Sequence, residues 1–234
     1  MLDFMMLAVL AGITWCVASD GTWGAATVFL STFLAGLIAM NVFEPLAASL
    51  EASAPGGAAY WDIVALLGVF AALVFAFRAA GEYLMPTYVD VHGALHNSLR
   101  WALAAATGYT VVAILFTSLH TAPLPRSFLG FNPGPASKTF FGLGPDIQWL
   151  ALNQYVSERG LRGSGSVFDA VTFERIPGQQ QTVTTFSSFP IRYAMRRSMY
   201  ISGASTSSTS SSSAPPTSAP PPTTAPSGSR STNF

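Results

Sequence analysis

Four uncharged apolar runs fill most of the first half of the chain: Phe4–Ser19, Thr22–Phe43, Ile63–Phe77 and Trp101–Leu119. Tyr60 and Trp61 extend the third run, and Asp62 and Arg78 stand at its two ends. A surface helix of a soluble protein carries a polar stripe at a period of 3.6 residues. The stretch "TVFLSTFLAGLIAMNVF" carries no charged stripe. At 1.5 Å per residue, Thr22–Phe43 covers about 33 Å as a helix, which is enough to cross a bilayer. Trp15, Trp23, Tyr60, Trp61, Tyr83 and Trp101 lie near the run ends. Amphipathic rings collect at that level of a membrane. The pattern predicts an all-α membrane protein with four transmembrane helices in residues 1–120. Asp3 stands where a secretory signal would be basic, so the first run is expected to stay as an uncleaved span, although small residues near Ala18 permit cleavage.

Ser19–Gly21 is short enough for a tight helical hairpin, whereas Glu44–Ala59, with Pro45 and "PGG", reads as a loop. Arg78–Arg100, with Pro86, reads as a longer loop with room for a short interfacial helix. In "SLHTAPLPRSFLGF", Pro123 removes a backbone donor and Pro125 turns Leu124 away from helical angles. Arg126 then marks arrival among headgroups. The fourth span is therefore expected to end at "HTAPLPR". After a Gly/Pro-rich loop, "PDIQWLALNQYVSERG" predicts an amphipathic helix, with Pro145 and Asp146 in its first turn and Gly160 at its end. Ile147, Leu150, Gln154 and Tyr155 are expected on one face, and the helix is expected to lie on the bilayer or against the bundle. From Ser164 to Ile201 there is no strong period, though "SVFDAVTFERI" suits short extended pieces. Residues 121–201 thus form a membrane-proximal segment. Residues 202–234 are rich in Ser, Thr and Pro and hold too little apolar mass to offset ordering, so a disordered tail is expected.

Composition sharpens this reading. Of 234 residues, 50% are apolar and 9% charged, against roughly 25% charged in soluble domains. Net charge is zero, which supplies no field for nucleic acid. The single cysteine, Cys16, cannot form an internal disulfide. Basic residues near the spans are almost balanced between the two sides, with a slight lean to both termini outside the cytoplasm. The lipid bilayer is the first partner implied. Other membrane or envelope proteins and a second copy of the chain are the further candidates. Ala104 and Gly108 form a small-xxx-small pair that permits close helix contact.

Candidate chemistry is sparse. His92 and His96 are four residues apart, with Asp90 nearby and His120 further on. A metal centre needs three or four ligands and a supporting shell, and no such pattern is present, so no metal is expected. The spans offer Ser31, Thr32, Thr107, Thr110 and Thr117 but no interior His, Asp or Glu for hydrolysis. "GLGPD" lacks the lysine of a phosphate loop. The chain is expected to be non-enzymatic, with no catalytic, cofactor-binding or metal residues and no cofactor. A transporter needs polar groups near the midplane, where Asn41, Thr107 and Thr110 are the best candidates. Arg78 and Glu82 are spaced for an i,i+4 ion pair.

Four segments in chain order, "GLIAMNVFEPLAASL", "SLHTAPLPRSFL", "FFGLGPDIQWLALNQYVS" and "RYAMRRS", resemble the colicin V production (CvpA) family, in the branch found in planctomycete bacteria. The likeness runs from the first span to about Ser198. It implies a bacterial inner-membrane protein with four helices, linked to colicin V export and envelope integrity, with no agreed catalytic residues. Two departures stand out. The first hairpin reads "SDGTWGAA" where the family tends to carry arginine and glycine, and "ALHNSLR" leaves Arg100 without the family's adjacent Asp. Arg126, Asp146 and Trp149, on the exit segment and the following helix, are the residues to follow, without a site being assigned to them. The expected role is non-enzymatic support of secretion or envelope homeostasis, and the competing one is a small oligomeric channel or solute transporter.

Overall fold

The computed structural model describes residues 1–84, 93–124, 129, 131, 140–159, 170–171, 186–187, 189–190, 192–194 and 196. Five α-helices organise them: α1 (Leu2–Ser19), α2 (Gly21–Ser53), α3 (Ala58–Leu84), α4 (Gly93–Thr121) and α5 (Pro145–Arg159), with a 3₁₀ turn at Pro55–Gly57. The first four are each long and apolar enough to cross a membrane. The chain is a membrane protein built on four transmembrane helices. Two short strands, β1 (Ala170–Val171) and β2 (Phe186–Ser187), pair antiparallel, and β1 falls inside "SVFDAVTFERI". The expectations for Asp90, His92, Arg126, Gly160 and the tail fall outside the described residues.

The spans form a row rather than a closed ring. α1 packs on α4, α4 on α2, and α2 on α3, while α1 and α3 share no substantial contact. Burial follows this order. Over its most apolar window 56% of α4 is buried, but only 11% of α3. The rest of α3 faces lipid, so its near-uniform apolar character satisfies the bilayer rather than a protein core.

Gly21, at φ +79°, closes the α1–α2 hairpin in the left-handed region that suits glycine. α2 buries Thr32, Ala35, Gly36, Ala39, Met40, Phe43 and Ala47, a stripe of i, i+3 and i+4 spacings. This stripe continues past Pro45, so the loop expected over Glu44–Ala59 is largely helical. Phe43 and Ala47 pack with Leu66 and Phe70 of α3, and "LAASLEAS" consists mostly of good helix formers. Tertiary burial and propensity together outweigh the one donor that Pro45 lacks. Likewise α3 and α4 extend from both sides into the loop expected over Arg78–Arg100. α4 stops at Thr121 as expected, where Pro123 follows and the Leu124 amide donates to the Ala122 carbonyl.

Small residues set the closest contacts. Ala104 is fully buried, and a Cβ on Gly108 would lie 2.9 Å from Thr14 Oγ1 and 3.0 Å from the Leu10 carbonyl of α1. Two antiparallel backbones approach here because one of them lacks a side chain.

α5 seats against α4 and α2. It buries Asp146, Trp149, Leu150, Asn153 and Gln154, again at i, i+3, i+4, i+7 and i+8. Ile147 and Tyr155, expected on the same face as Leu150, are 38% and 58% exposed. The helix is rotated because Trp149 finds a better seat than Ile147. Its ring lies over Gly36 of α2, where an added Cβ would come within 2.6 Å, and meets Phe33 edge-on at 5.9 Å. Of the two placements foreseen for this helix, packing on the bundle is the one adopted.

Substituting Gly36→Ala should therefore unseat α5. Thermal unfolding in detergent is expected to show a loss of about 1–3 kcal/mol, the usual cost of overpacking a filled core. In the Trp149→Leu background the same change should cost less, because the ring is gone and only the flexible end of Ile114, 2.7 Å from the added Cβ, still has to yield.

Candidate functional site

The antiparallel row brings the start of α1, the α2–α3 turn and the end of α4 to one end of the bundle, where α5 also docks. Two polar assemblies form there from residues distant in sequence.

The first joins the last turn of α4 to the first turn of α5. Nε2 of His120 donates to Oδ2 of Asp146 at 2.8 Å, and the two side chains are 1% and 0% exposed. Pro123, two residues past the end of α4, cannot continue the helix, and the chain returns so that Asp146 meets His120. Asp146 also suits the N-terminal end of α5, where unpaired backbone donors favour a carboxylate. Aromatic rings wall the pair. Phe131 meets the His120 ring edge-on at 5.1 Å, and Phe116 packs against both Phe131 and Phe140. The Phe140 amide donates to Asp3 Oδ1 at 3.2 Å, which ties the start of α1 to this wall. Deeper along the helix pair, the Tyr109 hydroxyl donates to Gln148 Oε1 at 2.8 Å.

The second assembly is a cavity of about 230 Å³ lined by Glu44, Ala48 and Glu51 of α2, Asp62 of α3, and Arg192, Tyr193 and Arg196. Residues 189–190, 192–194 and 196 are helical and lie across the ends of α2 and α3. Phe189 and Tyr193 anchor them on Phe43, with ring centroids 6.2 and 6.4 Å away. Ion pairs surround this apolar anchor. Arg192 reaches Glu44 at 2.6 Å, Arg196 reaches Glu51 at 2.8 Å, and Arg196 Nε lies 3.3 Å from Asp62 Oδ2. Asp62 is only 2% exposed. Burial first, and then the Asp62 and Glu44 carboxylates, push the Tyr193 phenol well above its usual range, so it stays a neutral hydroxyl.

The residues singled out from the sequence divide between the two ends. His96 sits near the start of α4, where the Thr22 hydroxyl lies 2.8 Å from its Nδ1 and 2.9 Å from its carbonyl oxygen. His120 is at the other end of the same helix, about 36 Å away at 1.5 Å per residue, so the two cannot share a metal. Among the described residues no three His, Cys, Asp or Glu side chains come together as a metal site. Arg78 pairs with Glu82 as expected and also with Asp20, both at 3.1 Å and largely exposed. Pairs of this kind contribute about 1 kcal/mol or less. Thr107, Thr110 and Thr117 donate to carbonyls four residues back on α4, and Asn41 does the same on α2. Ser31 and Thr32 are buried on the inner face of α2, and Cys16 is exposed on the lipid side of α1. Asp146 and Trp149 both lie in the α5 seat.

The sequence reading did not find the charged cavity. A signal for it exists. Glu44, Ala48 and Glu51 are spaced i, i+4 and i+7 on one helix face, and Arg192 and Arg196 are four apart. Treating Glu44–Ala59 as a loop concealed the first half of that signal.

Compared with known proteins, the chain matches no protein-family model, no curated protein and no solved structure.

Removing one member of the buried His120–Asp146 pair should be costly. Asp146→Ala is expected to lower stability in detergent by about 3 kcal/mol, since a buried polar ring loses its carboxylate. The double variant His120→Leu/Asp146→Leu should lose less than the sum of the two single Leu variants, as measured by a double-mutant cycle.

Proposed function

We propose that this chain is a CvpA-type protein of a bacterial inner membrane that supports secretion or envelope homeostasis by engaging other proteins rather than by catalysis. One observation carries the reading. The four segments that resemble the family lie far apart in the sequence, yet residues of all four pack together. Gly36–Leu50 supplies the seat for Trp149, the Glu44 carboxylate and the aromatic anchor Phe43. Ser118–Leu129 supplies His120, Phe140–Ser157 supplies Asp146 and Trp149, and 192–198 supplies Arg192 and Arg196. A likeness due to apolar composition alone would be spread along the spans. This one includes a cluster of charged residues just past the apolar run of α2, where a partner outside the bilayer can be met.

The competing reading, an oligomeric channel or transporter, draws less support. Asn41, Thr107 and Thr110, its best midplane groups, turn their side chains to carbonyls of their own helices.

A strain lacking the gene should become sensitive to detergent or lose export of a small secreted peptide, and the intact gene should restore both. No defect under either challenge would remove the secretion and envelope reading. Solute flux in liposomes containing the purified protein would favour the transporter instead.

A further inference from the structure

After α4 the chain returns to the depth of the apolar runs. Gln148 Oε1 of α5 accepts from the Tyr109 hydroxyl at 2.8 Å, and Tyr109 stands at the middle of the run Trp101–Leu119. At 1.5 Å per residue, Tyr109 lies about 16 Å inside His120. The Trp149 ring rests over Gly36 and meets Phe33 edge-on at 5.9 Å, and Phe33 stands at the middle of Thr22–Phe43. Two independent spans therefore place the first turns of α5 at hydrocarbon depth. Phe140 and Phe141 mark the way in. Phe140 packs on Phe116 at 6.0 Å and Phe141 meets Phe4 edge-on at 5.6 Å, both near the ends of apolar runs. The later turns leave this depth. α5 contacts β2, and Phe189, just after β2, lies on Phe43 at the end of the second run. The helix then ends in Glu158 and Arg159, charges that hydrocarbon excludes.

The outer surface of this segment has the chemistry that such a depth demands. Phe141, Leu143 and Ile147 are 57%, 56% and 38% exposed. Through the Phe4–Phe141 contact they continue the exposed Phe4 and Leu7 on the lipid side of α1. From Phe140 to Ala151 the one charged residue is Asp146, fully buried against His120. Gln148 is the exposed polar side chain, and its amide is closed at both ends. Its oxygen accepts from Tyr109, and its nitrogen donates to the Leu143 carbonyl at 2.9 Å. Polar groups facing hydrocarbon have to be satisfied internally in this way. We infer that Phe140–Trp149 is a re-entrant segment, dipping back into the leaflet that α4 has just left, and that Phe4, Leu7, Phe141, Leu143 and Ile147 form one surface for the acyl chains of that leaflet. The side chains on it are large and projecting, whereas close docking between copies in a bilayer works through small residues. This inference does not rest on the secretion reading.

The test is spin-label accessibility on the full chain in vesicles of phosphatidylethanolamine and phosphatidylglycerol. In a Cys16→Ser background, a nitroxide is attached at Leu143→Cys or at Ile147→Cys. Two references bracket the result: Leu30→Cys, exposed at the middle of the second run, and Ser53→Cys, beyond the end of that run. Labels at 143 and 147 are expected to collide freely with oxygen and to lose most collisions with a water-soluble nickel complex, as at Leu30. The label at 147 should read deeper than the one at 143. Either position decides the matter if the other variant does not fold by circular dichroism. Nickel collisions as frequent as at Ser53 would place the surface in water and overturn the inference. Low collision with both reagents, together with spin–spin coupling between copies, would make a second copy the occupant and overturn it as well.

Discussion

The seat of Trp149 over Gly36 is the contact on which the rest of the docked end depends. A bilayer offers apolar helices no hydrophobic incentive to prefer each other over lipid, so close packing must come from shape. Gly36 opens a gap in the inner face of α2, and the indole ring fills it between Phe33 and Ile114. With that ring seated, Asp146 falls one turn away beside His120, and Leu150 reaches the cluster that contains Phe189 and Tyr193. The segment bearing Arg192 and Arg196 is thereby held over the carboxylates of α2 and α3. Geometry that begins with a missing side chain thus ends in an electrostatic arrangement that starts at Glu44, directly after the apolar run.

Polar groups are segregated in a way that follows from the same solvent. Within the spans, the Thr107, Thr110 and Thr117 hydroxyls and the Asn41 amide turn back to carbonyls of their own helix, where they cost little in hydrocarbon. Of the pairs that need a second helix, Tyr109–Gln148 lies partway along α4 and two others sit at the ends. Thr22 meets His96 at one end, and His120 meets Asp146 at the other. The interior is left to small and aromatic residues. Gly108 against α1 and Gly36 against α5 are two places where a second helix comes close.

Much of the architecture was legible because the bilayer imposes one simple demand. Every backbone polar group inside it must be satisfied within the segment, so a long uncharged run leaves helix as the workable answer. That is why all four spans were foreseen, and why the exit at Pro123 and the start of α5 at Pro145 were placed correctly. The errors came where that demand ends. Pro45 looked like a break, but Phe43 and Ala47 had core partners that the sequence does not display. Ile147 looked like a buried residue of α5, but the ring of Trp149 had a glycine to rest on. The candidate site suffered most. Its carboxylates and guanidiniums come from α2, α3 and residues 192–196, and their meeting depends on a fold-back of about 150 residues.

The sequence by itself determined that this is a membrane protein with four apolar helices, a proline-terminated fourth span and a further helix beginning at Pro145. These are local properties, set by hydropathy, side-chain chemistry and backbone restriction over a few turns. Only the tertiary structure decided the row order of the spans, the rotation of α5, the burial of His120 with Asp146 and the charged cavity. Those depend on which surfaces fit each other across long stretches of chain, and van der Waals fit and ion pairing act between groups that the linear pattern keeps apart.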